Sequence, residues 1–419
     1  MFRCAEHCVK EMGDDSMAHF QAVKITDNVW WVGAIDWHLR EFHGYRTSRG
    51  STYNAFLVID EKITLIDTVK APFFDEMRER IASVIDPEKI DYIVSNHAEM
   101  DHSGSLPRAM QEFKAEKLFC SLQGERALRA HFHDTLPELE IVKTGDSIAL
   151  GKNDLAFVET KMLHWPDSMV CYLTGEKVLF SQDAFGMHLA GSQRFADEYC
   201  SSVIYEEAKK YFANILLLQS ARIIELLDNL PKLNLDIAIV APDHGPVWRN
   251  GDHARILELY REFAEQKPEK RAVVVFDSMW HSTEVMASAI AEGLIESGVP
   301  TEVISMHSCE RSEAITRIMG AGVLAIGTPT INNNMYPSLG DLLTYMRGLK
   351  PQIAVGGAFG SFGWSGEGAR HVAEALTAMN IDQPETVLAV KYVPDAAALE
   401  NCRQWGKKLA DALNNKLNK

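Results

Sequence analysis

After residue 271 the chain settles into one rhythm. AVVVFDS, TEVISM, VLAIGTPT, QIAVGGAFG and TVLAVKYV are short apolar runs, and each is followed by a stretch with helical spacing, the last being AALENCRQWGKKLADAL. Apolar runs of this kind, rich in Val and Ile, fit strands buried on both faces. Parallel strands need long crossover connections, and the helical stretches supply them. Repeated βα units over about 150 residues predict a doubly wound parallel sheet, which takes its ligands at the carboxyl ends of its strands.

Three of those strand ends have unusual loops. The first strand runs into Ser278, Met279, Trp280, His281, Ser282 and Thr283, and the turn opens a helix. Hydroxyls and backbone N–H groups at a helix N-terminus form an anion site. The turn has no G-K-[ST] and no G-x-G-x-x-G. Without a lysine it suits the singly esterified phosphate of FMN, although Ser and Thr could also simply cap the helix. The third strand leads to Thr328, Pro329, Thr330, Ile331, Asn332 and Asn333. The fourth leads through Ala358, Phe359, Gly360, Ser361 and Phe362 to Gly363, Trp364, Ser365 and Gly366. Glycines let backbone approach the polar edge of a flavin, and Trp280, Phe359, Phe362 and Trp364 could wall its faces. With these loops in this order, residues 270–417 resemble flavodoxin. The resemblance implies bound FMN and one- or two-electron chemistry.

The earlier part of the chain reads differently. VWWVGAI, TYNAFLVID, KITLIDTV, DYIVSNH, KLFCS, EIVKTGDSIAL, LAFVETK, MVCYLTG, KVLFSQD and DIAIVAPDHG are strand-like, with a hairpin expected around Glu61-Lys62. FDEMRERIASVI, a block from about Glu206 to Leu230, and HARILELYREFAEQ carry helical spacing. EQKPEKR, 265–271, is polar and reads as a linker. With 419 residues, two hydrophobic cores are expected. A formal net charge of −16 argues against nonspecific binding to nucleic acid or anionic membranes. No apolar run approaches the roughly 20 residues that span a bilayer, and residues 1–15 lack the apolar core of a signal peptide, so a cytoplasmic location is expected. The seven dispersed cysteines read as reduced thiols, and Cys4 and Cys8 as plain tail residues or a metal or redox pair.

The stretch NHAEMDHSG, 96–104, brings together His97, Glu99, Asp101 and His102 directly after a strand. His97-x-Glu99-x-Asp101-His102 is similar to the H-x-H-x-D-H signature of the metallo-β-lactamase fold, with Glu99 in place of the second histidine; that resemblance implies later ligands, for which His164 in HWPDS, Asp183 in QDAFG and His244 in DHGP, all at predicted strand ends, are the candidates. One carboxylate of such a set can bridge two ions. Imidazole and carboxylate suit iron in either oxidation state, and zinc fits the same ligand types. The flavin loops discriminate, because a hydrolase has no use for an electron source.

From about residue 20 onward the chain resembles the flavodiiron proteins, also called A-type flavoproteins. The resemblance implies a metallo-β-lactamase-like αββα sandwich over residues 19–266, a flavodoxin-like domain with a five-stranded parallel sheet over 267–419, and an N-terminal extension over 1–18. It implies one iron on His97, Glu99 and His164, a second on Asp101, His102 and His244, and Asp183 bridging them. In some members the histidine matching His102 turns away from the iron. It implies reduction of dioxygen to water, of nitric oxide to nitrous oxide, or of both. The chain ends with the flavodoxin-like domain and holds no C-x2-C pair, so electrons are expected from a separate carrier such as rubredoxin. A head-to-tail homodimer, or a dimer of dimers, would set each flavin before the other chain's irons. The alternatives are a zinc hydrolase of the lactamase fold with a flavodoxin-like regulatory domain, and an electron carrier with an inactive metal domain. His131, His188 and His307 read as ordinary core or surface residues, Trp165 as a wall, and Tyr205 and Tyr211 as helix packing or as a proton donor near the irons. Asp67 reads as a plain strand-end carboxylate or as a support for the first ligand loop.

Overall fold

The computed structural model describes residues 19–418, so the extension 1–18 with Cys4 and Cys8 lies outside the described residues. The first half is two facing sheets. One has seven strands in the order Val23–Lys24, Val29–Trp31, Phe56–Val58, Thr64–Ile66, Tyr92–Val94, Lys117–Ser121, Glu140–Val142. The other has five, in chain order, Ser147–Ala149, Asp154–Glu159, Met169–Leu173, Val178–Gln182 and Ile239–Pro242. The expected hairpin forms, with Phe56–Val58 antiparallel to Thr64–Ile66. EIVKTGDSIAL, read as one strand, instead divides between the sheets, turning at Gly145, whose φ of +95° favours glycine.

Alternation of side chains explains the layering. Phe56, Val58, Ile66 and Val94 point inward and meet Phe157, Cys171, Leu173 and Phe180 of the second sheet. Leu57, Leu65 and Ile93 point outward and are covered by Phe74–Ala82, Leu106–Phe113 and Leu122–Phe132, through Met77, Ile81, Ala109, Phe113 and Leu128. The outer face of the second sheet is covered by Ser201–Tyr211, Ser220–Asn229 and Asp252–Glu265. This is the expected αββα sandwich. A π-helical turn, Phe212–Leu216, interrupts the block expected to be uniformly helical from Glu206 to Leu230.

The second half is a five-stranded parallel sheet. In space the strands run Thr301–Ser305, Glu269–Phe276, Ala321–Pro329, Val355–Phe362 and Leu388–Lys391, so the sequence order is second, first, third, fourth, fifth. The order reverses beside the first strand, which places the crevice at the loops singled out above. The expected linker 265–271 is shorter than composition suggested, because the preceding helix ends at Glu265 and the strand begins at Glu269. Glu269 pairs with Ala321, and sheet pairing absorbs the polar residues.

One apolar core joins the two halves. Tyr211, Leu216, Tyr260 and Phe263 of the first belong to the same buried cluster as Ile304, Ala314, Ile315, Leu342 and Met346 of the second. Asn214, in the π-helical turn, donates to the Ser312 carbonyl at 3.2 Å and accepts from the Tyr345 hydroxyl at 2.9 Å. An apolar interface latched by such bonds holds the halves in one arrangement. No helix among the described residues is long and apolar enough to cross a membrane.

Candidate metal centre and flavin cradle

Strand-end loops deliver the first ligand cluster, and a buried carboxylate shapes them. Asp67 follows Thr64–Ile66 and accepts from Asn96 twice, from backbone N and from Nδ2, at 2.7 Å each. Burial pushes its pKa up to about 6, with His102 and the Asn96 bonds acting against it. Asp67 therefore supports the ligand loop, the second of its two readings. Beyond Asn96 the chain presents His97 and Glu99, and the short helix Met100–Ser103 adds Asp101 and His102.

Each of three imidazoles is turned inward by a partner on its Nδ1. His97 Nδ1 lies 3.0 Å from Asp167 Oδ2, which also accepts from Ala98 N at 2.7 Å. His244 Nδ1 donates to the Thr52 carbonyl at 2.6 Å. His102 Nδ1 faces Asp243 Oδ2 at 3.3 Å. Such outer partners fix ring orientation and leave Nε2 free for a metal. Asp167 and Asp243 were missed in the sequence reading, although both lie in the quoted motifs HWPDS and APDHG.

All seven sequence-predicted residues converge, as two groups. Ligand atoms of His97, Glu99, His164 and Asp183 lie within 4.8 Å of one another, and so do those of Asp101, His102 and His244. Asp183 faces both. Its Oδ2 is 3.3 Å from His97 Nε2 and 3.2 Å from His164 Nε2. Its Oδ1 is 3.2 Å from His102 Nε2 and 3.4 Å from His244 Nε2. Glu99 Oε2 completes the first group at 3.3 Å from His97 Nε2 and 3.2 Å from His164 Nε2. Asp101 Oδ2 lies 3.1 Å from His244 Nε2 in the second. His102 turns toward its group, with Nε2 3.4 Å from Asp101 Oδ1.

The donor set fits a pair of cations. Ligand bonds of 2.0–2.2 Å place neighbouring ligand atoms about 3 Å apart, the spacing seen here. Both Asp101 oxygens, both His102 nitrogens and Asp183 Oδ2 are buried without a hydrogen bond, a costly state that a cation would relieve. Protein charge answers the same need. Burial opposes a proton on His97, but Asp167, Glu99 and Asp183 outweigh it and push its pKa up to about 10. Asp183 and Glu99 likewise carry His164 to about 9 against burial. Burial opposes a proton on His102 as well, but Asp101, Asp183 and Asp243 hold it well above its ordinary value, so metal-free protein holds protons on all three imidazoles at neutral pH, and metal must displace them. Uptake at pH 7 should release about three protons per chain, and affinity should fall as pH falls. Titrating metal-free protein in weak buffer with a pH-stat checks this; uptake with no proton release would contradict it.

Other residues sort around this cluster. His188 is buried, with Nδ1 2.8 Å from Ser51 Oγ and its ring 4.6 Å from that of His244, so it packs behind a ligand without joining the set. Trp165 stands edge-on to His97 at 5.1 Å and forms the expected wall, with His131 stacked on it. His307 is exposed. Tyr205 packs on Phe263. Tyr211 stands 6.2 Å from His244, ring to ring, and burial with the charge of Asp183 pushes its phenol pKa far up. His43 was not anticipated. It occupies the turn of a hairpin, Glu41–Phe42 with Tyr45–Arg46, and its Nε2 lies 2.5 Å from Glu99 Oε1. FHGY carries a hairpin signal, but nothing in it tells where the hairpin docks.

In the second half a cavity of about 400 Å³ opens at the strand ends. Ser278, Met279, Trp280 and Ser282 line it from the first loop, Pro329, Thr330, Asn332 and Asn333 from the third, and Ser361 to Ser365 from the fourth. Trp280 and Trp364 are 86% and 88% exposed, free to lie against a planar ring. Ser278 Oγ is buried without a partner at the helix N-terminus, as a phosphate seat requires. The remaining predicted residues serve differently. Phe359 is no wall: it is fully buried and packs against Trp405, and Ala358 and Gly360 lie beside it in the strand. Thr283 ties two loops through Ser361 Oγ at 2.9 Å. Thr328 accepts from Tyr336 N and braces the third loop, in which Ile331 pairs with Asn334. His281 pairs with Glu284, and Gly366 caps the next helix. Tyr392 and Val393, after the fifth strand, also line the cavity; the strand-end rule would have found them had it been carried to that strand.

Comparison with known proteins matches residues 52–245 to the ODP family beta lactamase and residues 274–406 to flavodoxin. The rubredoxin-oxygen oxidoreductase of Megalodesulfovibrio gigas is 44% identical over 399 residues, covering 95% of this chain and 99% of that protein. The nitric oxide reductase of Moorella thermoacetica is 42% identical, covering 93% and 98%. The solved structure of the flavodiiron protein from Giardia intestinalis superposes with a TM-score of 0.90 at 34% identity, covering 95% of this chain and 98% of that one. None of these relatives favours the hydrolase alternative. Likeness that runs unbroken through the metal half and the flavin half is not a chance pairing of two common folds, and the chain belongs to the flavodiiron proteins, oxidoreductases that work with FMN and a pair of irons.

Proposed function

We propose that this protein reduces dioxygen to water, nitric oxide to nitrous oxide, or both, with electrons relayed through FMN from an external carrier of the rubredoxin type. The observation that carries the reading is Asp183, with one carboxylate oxygen facing each ligand group. His97, Glu99 and His164 would hold one iron, Asp101, His102 and His244 the other, and Asp183 would bridge them. The cavity residues of the second half would hold FMN, with the division between the two units at 266/267.

When bound, the metals and the flavin supply the electron transfers and open coordination positions that side chains cannot. The protein's own contribution is placement and protons. Glu99 presents Oε2 to its group and Oε1 to His43, so the carboxylate is held between metal seat and imidazole. His43 is partly exposed and covers Glu99 on the solvent side. Tyr211 keeps its phenolic proton on the buried side. Phe42 and Trp165 wall off water.

The site's exposed rims favour a head-to-tail dimer. Trp280, Trp364, Tyr392 and Val393 form an exposed apolar patch around the flavin cradle, and Met100, between two ligands, is 44% exposed at the metal mouth. Two-fold symmetry would bring each patch to the other chain's mouth. A cytoplasmic setting suits reduced thiols and such a donor.

Protein produced with adequate iron should contain about two irons and one FMN per chain. Once reduced without oxygen, it should consume dioxygen or nitric oxide in rapid mixing with gas analysis. Zinc held stably in both positions together with ester or lactam hydrolysis would overturn the reading.

A further inference from the structure

We propose that Arg311, in the flavodoxin-like half, is a positioning residue for the metal centre of its own chain, holding the His43 turn against Glu99. The inference rests on Glu99 being an iron ligand, as proposed above. His43 and Gly44 both have positive φ, 53° and 69°, the pattern of a tight two-residue hairpin turn. Such a turn projects from the fold and needs support from outside. On its inner side His43 reaches Glu99, and Phe42 stacks on His43 with centroids 4.1 Å apart. On its outer side the support comes from the other half of the molecule. Arg311 Nη2 donates to the Gly44 carbonyl at 3.1 Å, and Ser312 Oγ accepts from Arg46 N at 3.2 Å. Arg46 also pairs with Glu310. The guanidinium lies flush on the turn, since a Cβ on Gly44 would sit 2.7 Å from Arg311 Nη2.

Arg311 is itself held. Its Nη1 lies 3.0 Å from both oxygens of Asp341, on the helix Pro337–Leu349. That helix follows the third flavin loop, and Ser338 in its first turn donates to Asp277 Oδ2, next to the first flavin loop, at 2.5 Å. One run of contacts thus connects the flavin cradle, Asp341, Arg311, the turn and Glu99. The Arg311–Asp341 pair is partly exposed, and such pairs contribute little to stability. Its value lies in geometry: a planar fork fixes one carbonyl and one carboxylate together, which lysine cannot do. The flavodoxin-like half therefore has two duties, serving a flavin and propping the lid over its own chain's irons.

The test is a double-mutant cycle on the holoenzyme with Arg311→Ala and His43→Ala. Two quantities are read: the rate at which a ferrous chelator strips iron from reduced protein, and KM and kcat for dioxygen. Each single variant should lose iron about tenfold faster and show a raised KM with little change in kcat. The double variant should be no worse than either, because Arg311 acts through His43. Arg311→Lys should recover only part of the effect, while flavin content and melting temperature stay near wild type. Additive effects, or an Arg311→Ala protein that behaves as wild type while His43→Ala does not, would overturn the inference. Should Arg311→Ala not fold, Asp341→Asn removes the anchor alone and is expected to reproduce the phenotype. Protein that never holds iron would fail the proposed function itself, whereas iron-loaded protein with additive effects fails only this inference.

Discussion

Asp183→Ala is expected to reduce bound iron to below about a tenth of the wild-type amount and to abolish reductase activity, while FMN stays bound and reducible. The reason is that, among the described residues, Asp183 alone faces both groups, with contacts to all four imidazoles at 3.2–3.4 Å. Without it neither group has a shared anion, and the two cation seats lose their bridge together. Folding should survive. The histidines that Asp183 leaves behind can become neutral, and neutral imidazole is cheap to bury compared with an unpaired charge. The flavin cradle draws its residues from 278–393 and shares none with the ligand groups. Metal analysis, the flavin absorbance band and a thermal melt measure the three expectations separately. A variant that kept iron and lost its flavin would refute the division into two sites.

The second large effect is recovery of activity between two dead chains. Chains carrying Asp183→Ala keep a working flavin site, and chains carrying Ser282→Asp keep a working metal site. The new carboxylate at 282 stands at the helix N-terminus beside Ser278, where it would repel a phosphate. On the proposed head-to-tail dimer, mixed dimers formed by dissociation and reassociation should regain about half of the wild-type rate, since two-fold symmetry leaves one intact route in each. The continuous apolar core and the Asn214 bonds hold the two halves of one chain in a single arrangement. Activity at the parental level in verified mixed dimers would place electron flow within a single chain.

The ligand set was legible because each residue lies at the end of a strand and within a short motif. His97, Glu99, Asp101 and His102 occupy six positions directly after a strand, which keeps them together although the last two fall on a short helix. The flavin loops were legible for the same reason, except after the fifth strand. Phe359 was misread because strand alternation sends it into the core beside Gly327, whose missing side chain makes room for its ring. Composition gave a linker where Glu269 in fact pairs with Ala321, since backbone pairing is indifferent to side-chain polarity.

From the amino-acid order come the two architectures, the first ligand cluster and the three flavin loops, because helical and strand periods and local motifs are properties of neighbours in sequence; the later ligands His164, Asp183 and His244 came through the family resemblance. The tertiary structure alone decided which carboxylate oxygen faces which imidazole, which acids turn the histidines inward, and that His102 joins its group. It alone placed His43 on Glu99 and Arg311 on the His43 turn. Arg311 and Gly44 are separated by 267 residues, and contacts at such range follow from how whole layers pack, which no local pattern encodes.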